Sequence, residues 1–212
     1  MTVLYVHGMG GGGDSRIPSV LRERIPPETG VEIVVRTYDF DPEKAAVRIA
    51  AWVEELRPAL VIGASLGALQ ALRIRGIPHL FVSPSLNATV YFNVFALFAF
   101  IPGVTLWLDR IYRPREGDRQ PLHFSHRILR KYRAHRRAAL ANTPREGSRD
   151  RFFAFFGEHD HYRRSGVVSV RTWRRYFGEG TWQMYPGTHF MEIEFVESLL
   201  IPKLFEMLDL HF

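Results

Sequence analysis

Short apolar runs alternate with amphipathic stretches along the chain. Residues 2–6, 31–38, 60–63, 79–83, 152–156 and 181–185 are rich in Val, Ile, Phe and Tyr, and most stop at Gly, Ser, Asp or Pro. Each predicts a β-strand. The runs are continuous more than alternating, as in strands buried on both faces. Between them, residues 17–24, 42–56, 66–75, 166–176 and 191–208 carry helical patterning. Asp41 before Pro42 supplies a helix start, a capping side chain followed by proline in the first turn. Strand–helix repetition of this kind predicts an α/β fold, a mostly parallel sheet of about six strands with helices on both faces.

One interval breaks the rhythm. Residues 86–150 contain no clear strand, and they hold both the most apolar run and the densest run of arginines. They are expected to form a helical cap or lid insertion over the carboxyl ends of the strands, where open α/β sheets bind ligands. The 212 residues then make a single domain carrying that insertion. The apolar run 90–108 approaches the length of a membrane span, but Asn93 and Pro102-Gly103 interrupt it. A lid helix pair is the expectation.

Composition narrows the chemistry. A hydrophobic fraction of 46% with 24% charged residues excludes wholesale disorder. The absence of cysteine excludes disulfides, thiolate catalysis and zinc–thiolate sites, and it fits a reducing compartment. The first residues show neither a charged leader nor a cleavage site, so a cytoplasmic protein is expected. The net charge of +6 is concentrated: residues 108–151 hold 13 Lys and Arg against 5 Asp and Glu, a local +8 that leaves −2 elsewhere. Only Lys44, Lys131 and Lys203 are lysines, and a general preference for arginine also follows from codon composition. Residues 127–137 form a basic helical pattern with Ile128, Leu129 and Tyr132 on one side. A solvated face is its commonest meaning. Nucleic acid is not the expected partner, and peripheral membrane contact stays open.

The strongest chemical signal is Gly63-Ala64-Ser65-Leu66-Gly67. The apolar Leu60-Val61-Ile62 leads in and an Ala- and Leu-rich helix leads out, so Ser65 occupies a sharp strand-to-helix turn. Such a turn is crowded and needs small residues two positions away on each side. Here the sequence resembles the alpha/beta-hydrolase superfamily, in which Tyr5-Val6-His7-Gly8-Met9-Gly10-Gly11 stands in the place of the oxyanion loop. The resemblance implies backbone donors at Leu66 and at Met9 or Gly10. Phe152–Gly157 followed by Glu158-His159-Asp160 resembles the turn that carries the family's acid, with Asp160 the candidate and Glu158 the substitute. Of nine histidines, only His189 stands past a strand end and a glycine, ahead of the final helix. The order Ser65, Asp160, His189 is the order that fold uses. In length and starting point the chain looks like small bacterial serine esterases of the YqiA type.

These residues imply a serine esterase or thioesterase working without metal or cofactor, acting on a small acyl ester or thioester. His7, Phe92, Phe95 and Trp107 are the expected substrate contacts. Two other classes stay open. The run Gly8–Gly13 formally matches a dinucleotide loop, with Asp39 or Asp41 as a ribose ligand. A catalytically silent hydrolase fold acting as a binding module is the other. A phosphate loop fails because Asp14 occupies the lysine position, and His159-Asp160-His161 is a poor metal set because neighbours in an extended chain diverge. Oligomeric state is not legible.

Overall fold

Six strands, β1 (Thr2–Val6), β2 (Glu32–Val35), β3 (Leu60–Ala64), β4 (His79–Val82), β5 (Phe152–Gly157) and β6 (Trp182–Tyr185), form one sheet in the order β2-β1-β3-β4-β5-β6. All five pairings are parallel. This computed structural model describes residues 1–101, 103–112, 117–142 and 151–210. Pro102, the stretch 113–116 and the end of the expected insertion, 143–150, lie outside the described residues. Val3, Tyr5, Leu60 and Ile62 enter one apolar cluster, whereas Leu4, Val6 and Val61 enter the other. Alternate residues of one strand therefore feed opposite faces, which is why the runs are apolar throughout.

Helices cover both faces. α1 (Arg16–Arg24) shares one cluster with a C-terminal segment, and α2 (Pro42–Leu56), α3 (Gly67–Ala71) and α7 (Val170–Phe177) lie on the other face. α2 begins as expected, with the Asp41 carboxylate accepting from the Glu43 N–H. Four boundaries differ from expectation. β2 ends at Val35 because the chain turns inward, where Tyr38 stacks on His7 at 4.3 Å. After Ala71 the bonds tighten to Arg73 N–H→Gln70 O and Ile74 N–H→Ala71 O, and the Leu72 and Ile74 carbonyls accept from the Asn142 amide. α7 starts behind Ser169, which caps it; Gly166, at φ +75°, stands outside. The last helix is split into α8 (Ile193–Phe195), a π turn (Val196–Leu200) and α9 (Ile201–Met207). Pro202 has no N–H to continue the α ladder there.

The insertion is helical: α4 (Ala88–Phe98), α5 (Val104–Ile111) and α6 (His126–Leu140). The apolar run is divided between α4 and α5, of 11 and 8 residues. Among the described residues, no helix is long and apolar enough to cross a membrane. α6 runs antiparallel to α4. His126 Nδ1–H donates to Ala96 O at 2.8 Å near one end, and Arg136 donates to Leu86 O at 2.6 Å and Asn87 Oδ1 at 2.8 Å near the other. Phe92, Leu108, Phe124, Leu129 and Tyr132 join the same cluster as Phe40 and Leu69, so these helices share the core of the sheet.

Candidate active site

The strand order reverses at β1, whose two neighbours β2 and β3 lie on opposite sides. Connections leaving the carboxyl ends of β1 and β3 diverge there and open a crevice. Ser65 ends β3 at φ +50°, a left-handed conformation that costs a non-glycine residue on the order of 1 kcal/mol. Its N–H donates to Val82 O at 2.9 Å, and its carbonyl accepts from Ala68 N–H and Ser85 N–H. The motif glycines are there for close approach. A Cβ on Gly67 would stand 2.2 Å from the His7 carbonyl oxygen, and one on Gly63 2.9 Å from the Phe81 ring.

Three side chains from distant parts of the sequence meet at this rim. His189 Nε2 lies 2.9 Å from Ser65 Oγ, and His189 Nδ1 lies 2.7 Å from Asp160 Oδ2. Facing a carboxylate, Nδ1 carries the hydrogen, which leaves the Nε2 lone pair for the Ser65 hydroxyl. The other Asp160 oxygen accepts Tyr162 N–H at 2.8 Å, and the Tyr162 ring packs edge-on to His189 at 4.7 Å. Burial alone would raise the Asp160 carboxyl. The hydrogen bond and charge of His189, with the Tyr162 N–H, outweigh it and hold the carboxyl below its ordinary value. Glu158 and His159 are exposed, and Asp160 is buried, so the turn after β5 sends only its third polar side chain inward.

Sequence patterning missed one neighbour. Ser85 Oγ is 3.2 Å from Ser65 Oγ. The available signal was Ser83-Pro84-Ser85 directly after β4, a polar cluster at the carboxyl end of the strand beside β3.

Of the expected backbone donors, Gly10 is already committed: its N–H donates to Gln120 Oε1 at 3.1 Å. The Met9 and Leu66 N–H groups donate to no group among the described residues. The glycine run itself is a docking strip for the insertion. Gly11 O accepts Gln120 N–H at 2.7 Å, Gly12 pairs antiparallel with Arg119, and Gly13 N–H donates to Asp118 at 3.3 Å. A Cβ on Gly12 would fall 1.5 Å from the Asp118 carbonyl oxygen. These contacts count against the dinucleotide alternative, because the Gly10, Gly11, Gly12 and Gly13 N–H groups already have acceptors. Asp39 and Asp41 are likewise engaged, by Lys44 at 3.4 Å and Lys131 at 2.6 Å.

A cavity of about 1150 Å³ covers the Ser65–His189 pair, with Met9, Tyr91, Phe92, Phe95 and Tyr112 among its walls. Trp107, expected among the substrate contacts, is 61% exposed and outside these walls, while Leu108 of the same helix is turned inward. His7 reaches the cavity but serves its loop, donating from Nδ1–H to Gly8 O at 2.8 Å and stacking on Tyr38. Burial pushes its imidazole down to about 4, so it is neutral at pH 7.

No protein-family model matches this chain, and no curated protein matches its sequence. Solved structures do match. The chain is similar to a monoacylglycerol lipase of Paleococcus ferrophilus, with a TM-score of 0.63 and 16% identity over 98% of this chain and 94% of the other. It is similar to a carboxylesterase structure from the thaumarchaeon Nitrososphaera gargenis, with a TM-score of 0.56 and 12% identity over 98% and 91%. A thioesterase domain from the curacin biosynthetic pathway gives a TM-score of 0.54 and 14% identity over 96% and 90%. The fold of this chain is that of the alpha/beta hydrolases.

Proposed function

We propose that this protein is a serine hydrolase that cleaves a carboxylic ester or thioester through an acyl-enzyme on Ser65. The observation that carries the reading is the chain of contacts from Ser65 Oγ to His189 at 2.9 Å and from His189 to Asp160 at 2.7 Å, beneath an apolar-walled cavity. Ser65 Oγ attacks the acyl carbonyl while His189 Nε2 takes the hydroxyl proton. The oxyanion that forms accepts from the Leu66 and Met9 N–H groups. Collapse breaks the bond to the alkoxide or thiolate, which leaves with the proton from His189. Water then attacks the acyl-enzyme, His189 again takes and returns the proton, and the carboxylic acid departs. Asp160 stays ionised throughout, fixing the imidazole tautomer and stabilising the imidazolium.

Phe92 and Phe95 suit an acyl chain. The structural neighbours include a lipase, a carboxylesterase and a thioesterase, which supports both kinds of leaving group. The lack of cysteine supports a cytoplasmic setting. A fluorophosphonate probe tests the chemistry. The wild-type protein should gain one adduct on the peptide containing Ser65, and Ser65→Ala should gain none. A folded wild-type protein that resists the probe is instead a binding module on a hydrolase fold. Nitrophenyl esters from C2 to C12 test the cavity, because flat activity along the series counts against an acyl site. A thioester of matched chain length separates the two leaving groups.

A further inference from the structure

α4 is apolar on nearly every side. Ala88, Phe92 and Ala96 are buried against the core, yet Val90, Val94, Leu97 and Phe98 on the other side are exposed. The turn and α5 extend this surface through Phe100, 71% exposed, and Leu106, 73% exposed, to Trp107 and Ile111. A helix that is hydrophobic all round belongs in a covered setting, and so large an exposed patch marks an interaction surface.

Charge identifies what covers it. The residues just after α4 rest on the start of α6, with the Phe100 ring 4.1 Å from His126. From the next residue onward, Arg127, Arg130, Arg133 and Arg137 are all exposed, at the three- and four-residue spacing that places them along one side of α6. Among the described residues, none of the four is in an ion pair. Lys131, on the same helix, pairs with Asp41 and Glu43, and Arg136 bonds Leu86 and Asn87. An apolar helical surface beside a row of arginines that have no ion pair among the described residues fits an anionic lipid surface. A second copy of this chain would bring a like-charged row with it and be repelled.

We propose that the insertion docks on an anionic membrane surface, with α4 and α5 settling their exposed side into the acyl boundary and the α6 arginines meeting the headgroups. Helices of 11 and 8 residues lie on such a surface; they do not span it. Tyr91 and Tyr112 carry the patch to the cavity wall, so an ester held in lipid would enter from the docked side. Only this last consequence rests on the proposed chemistry.

Vesicle sedimentation tests the docking. Vesicles with about one third phosphatidylglycerol should bind the protein about tenfold more strongly than pure phosphatidylcholine, and the preference should fade with salt. Phe100→Asp with Leu106→Asp should lower partitioning about tenfold or more on the anionic vesicles. Replacing Arg127, Arg130, Arg133 and Arg137 with Gln should remove the anionic preference. Ser65→Ala should bind like the wild type, so failure of the chemistry and failure of the docking are separate results. Absence of an anionic preference overturns the proposal, and so does partitioning indifferent to the Phe100 and Leu106 changes. A dimer in solution that Phe100→Asp dissolves also overturns it, because a second copy then covers the patch.

Discussion

Ser65 is held in its left-handed turn by backbone bonds to Val82, Ala68 and Ser85, none of which uses the side chain. Ser65→Ala should therefore melt at the wild-type temperature while kcat falls by about 10⁴–10⁶-fold. Turnover close to wild type in that variant rejects the assignment. With the Ser65 hydrogen directed to His189, Ser85 is the donor of the 3.2 Å contact, and in the proposed chemistry it would steady the Ser65 oxygen. Ser85→Ala should lower kcat by roughly 3- to 30-fold with KM little changed, and Ser85→Thr should recover part of the loss. Equal kcat in all three proteins would remove the positioning role. Ser65, Asp160 and His189 were legible because each stands at a strand end in a turn with its own sequence signature. Ser85 was not, because its contact depends on the register between β3 and β4. The placement of Trp107 outside the cavity walls was not legible, because Leu106-Trp107-Leu108 is apolar at every position and does not reveal which face of α5 turns inward.

At the scale of elements, the four inner strands β1, β3, β4 and β5 were legible because each feeds both apolar clusters and so writes a nearly unbroken apolar run. Helix ends were harder. The shortening of α3 depends on the Asn142 amide, some 70 residues away in sequence, taking the Leu72 and Ile74 carbonyls. The glycine run likewise acquires its meaning only from the 117–120 segment laid against it. Gly12→Ala puts a methyl group onto the Asp118 carbonyl, so the segment must lift. The expected cost is about 1–3 kcal/mol, seen as a lower melting temperature, together with slower turnover as the loop bearing Met9 loosens. Gly30→Ala is the control. Its Cβ meets nothing within 4 Å, and its cost is limited to the left-handed backbone, about 1 kcal/mol, with turnover unchanged. Equal behaviour of the two variants would show that the contact between residues 117–120 and the glycine run does not matter.

For the molecule as a whole, two of the buried histidines, His7 and His135, lower stability in acid. Burial pushes His7 and His135 down to about 4, against an ordinary value of 6.5. Between those values the unfolded chain binds more protons than the folded one, so stability falls as pH drops from about 6.5 towards 4. Each group can cost up to about 3 kcal/mol across that window. The Asp160 carboxyl, held low, adds a loss of the same sign at more acidic pH, as it protonates. Melting temperature should decline steadily from pH 7 to pH 4.5, with proton uptake on unfolding. A flat profile would mean that neither imidazole is buried in the neutral form. The shared core and the 117–120 segment also bear on any attempt to pare this protein down to a bare scaffold. Excising the insertion would strip more than a roof from the cavity: it would unhook Gly10 from Gln120, leave Gly13 without its acceptor and lay Phe40 and Leu69 open to water. The covering helices and the rim that holds Ser65 would have to be redesigned together, because neither is a detachable part.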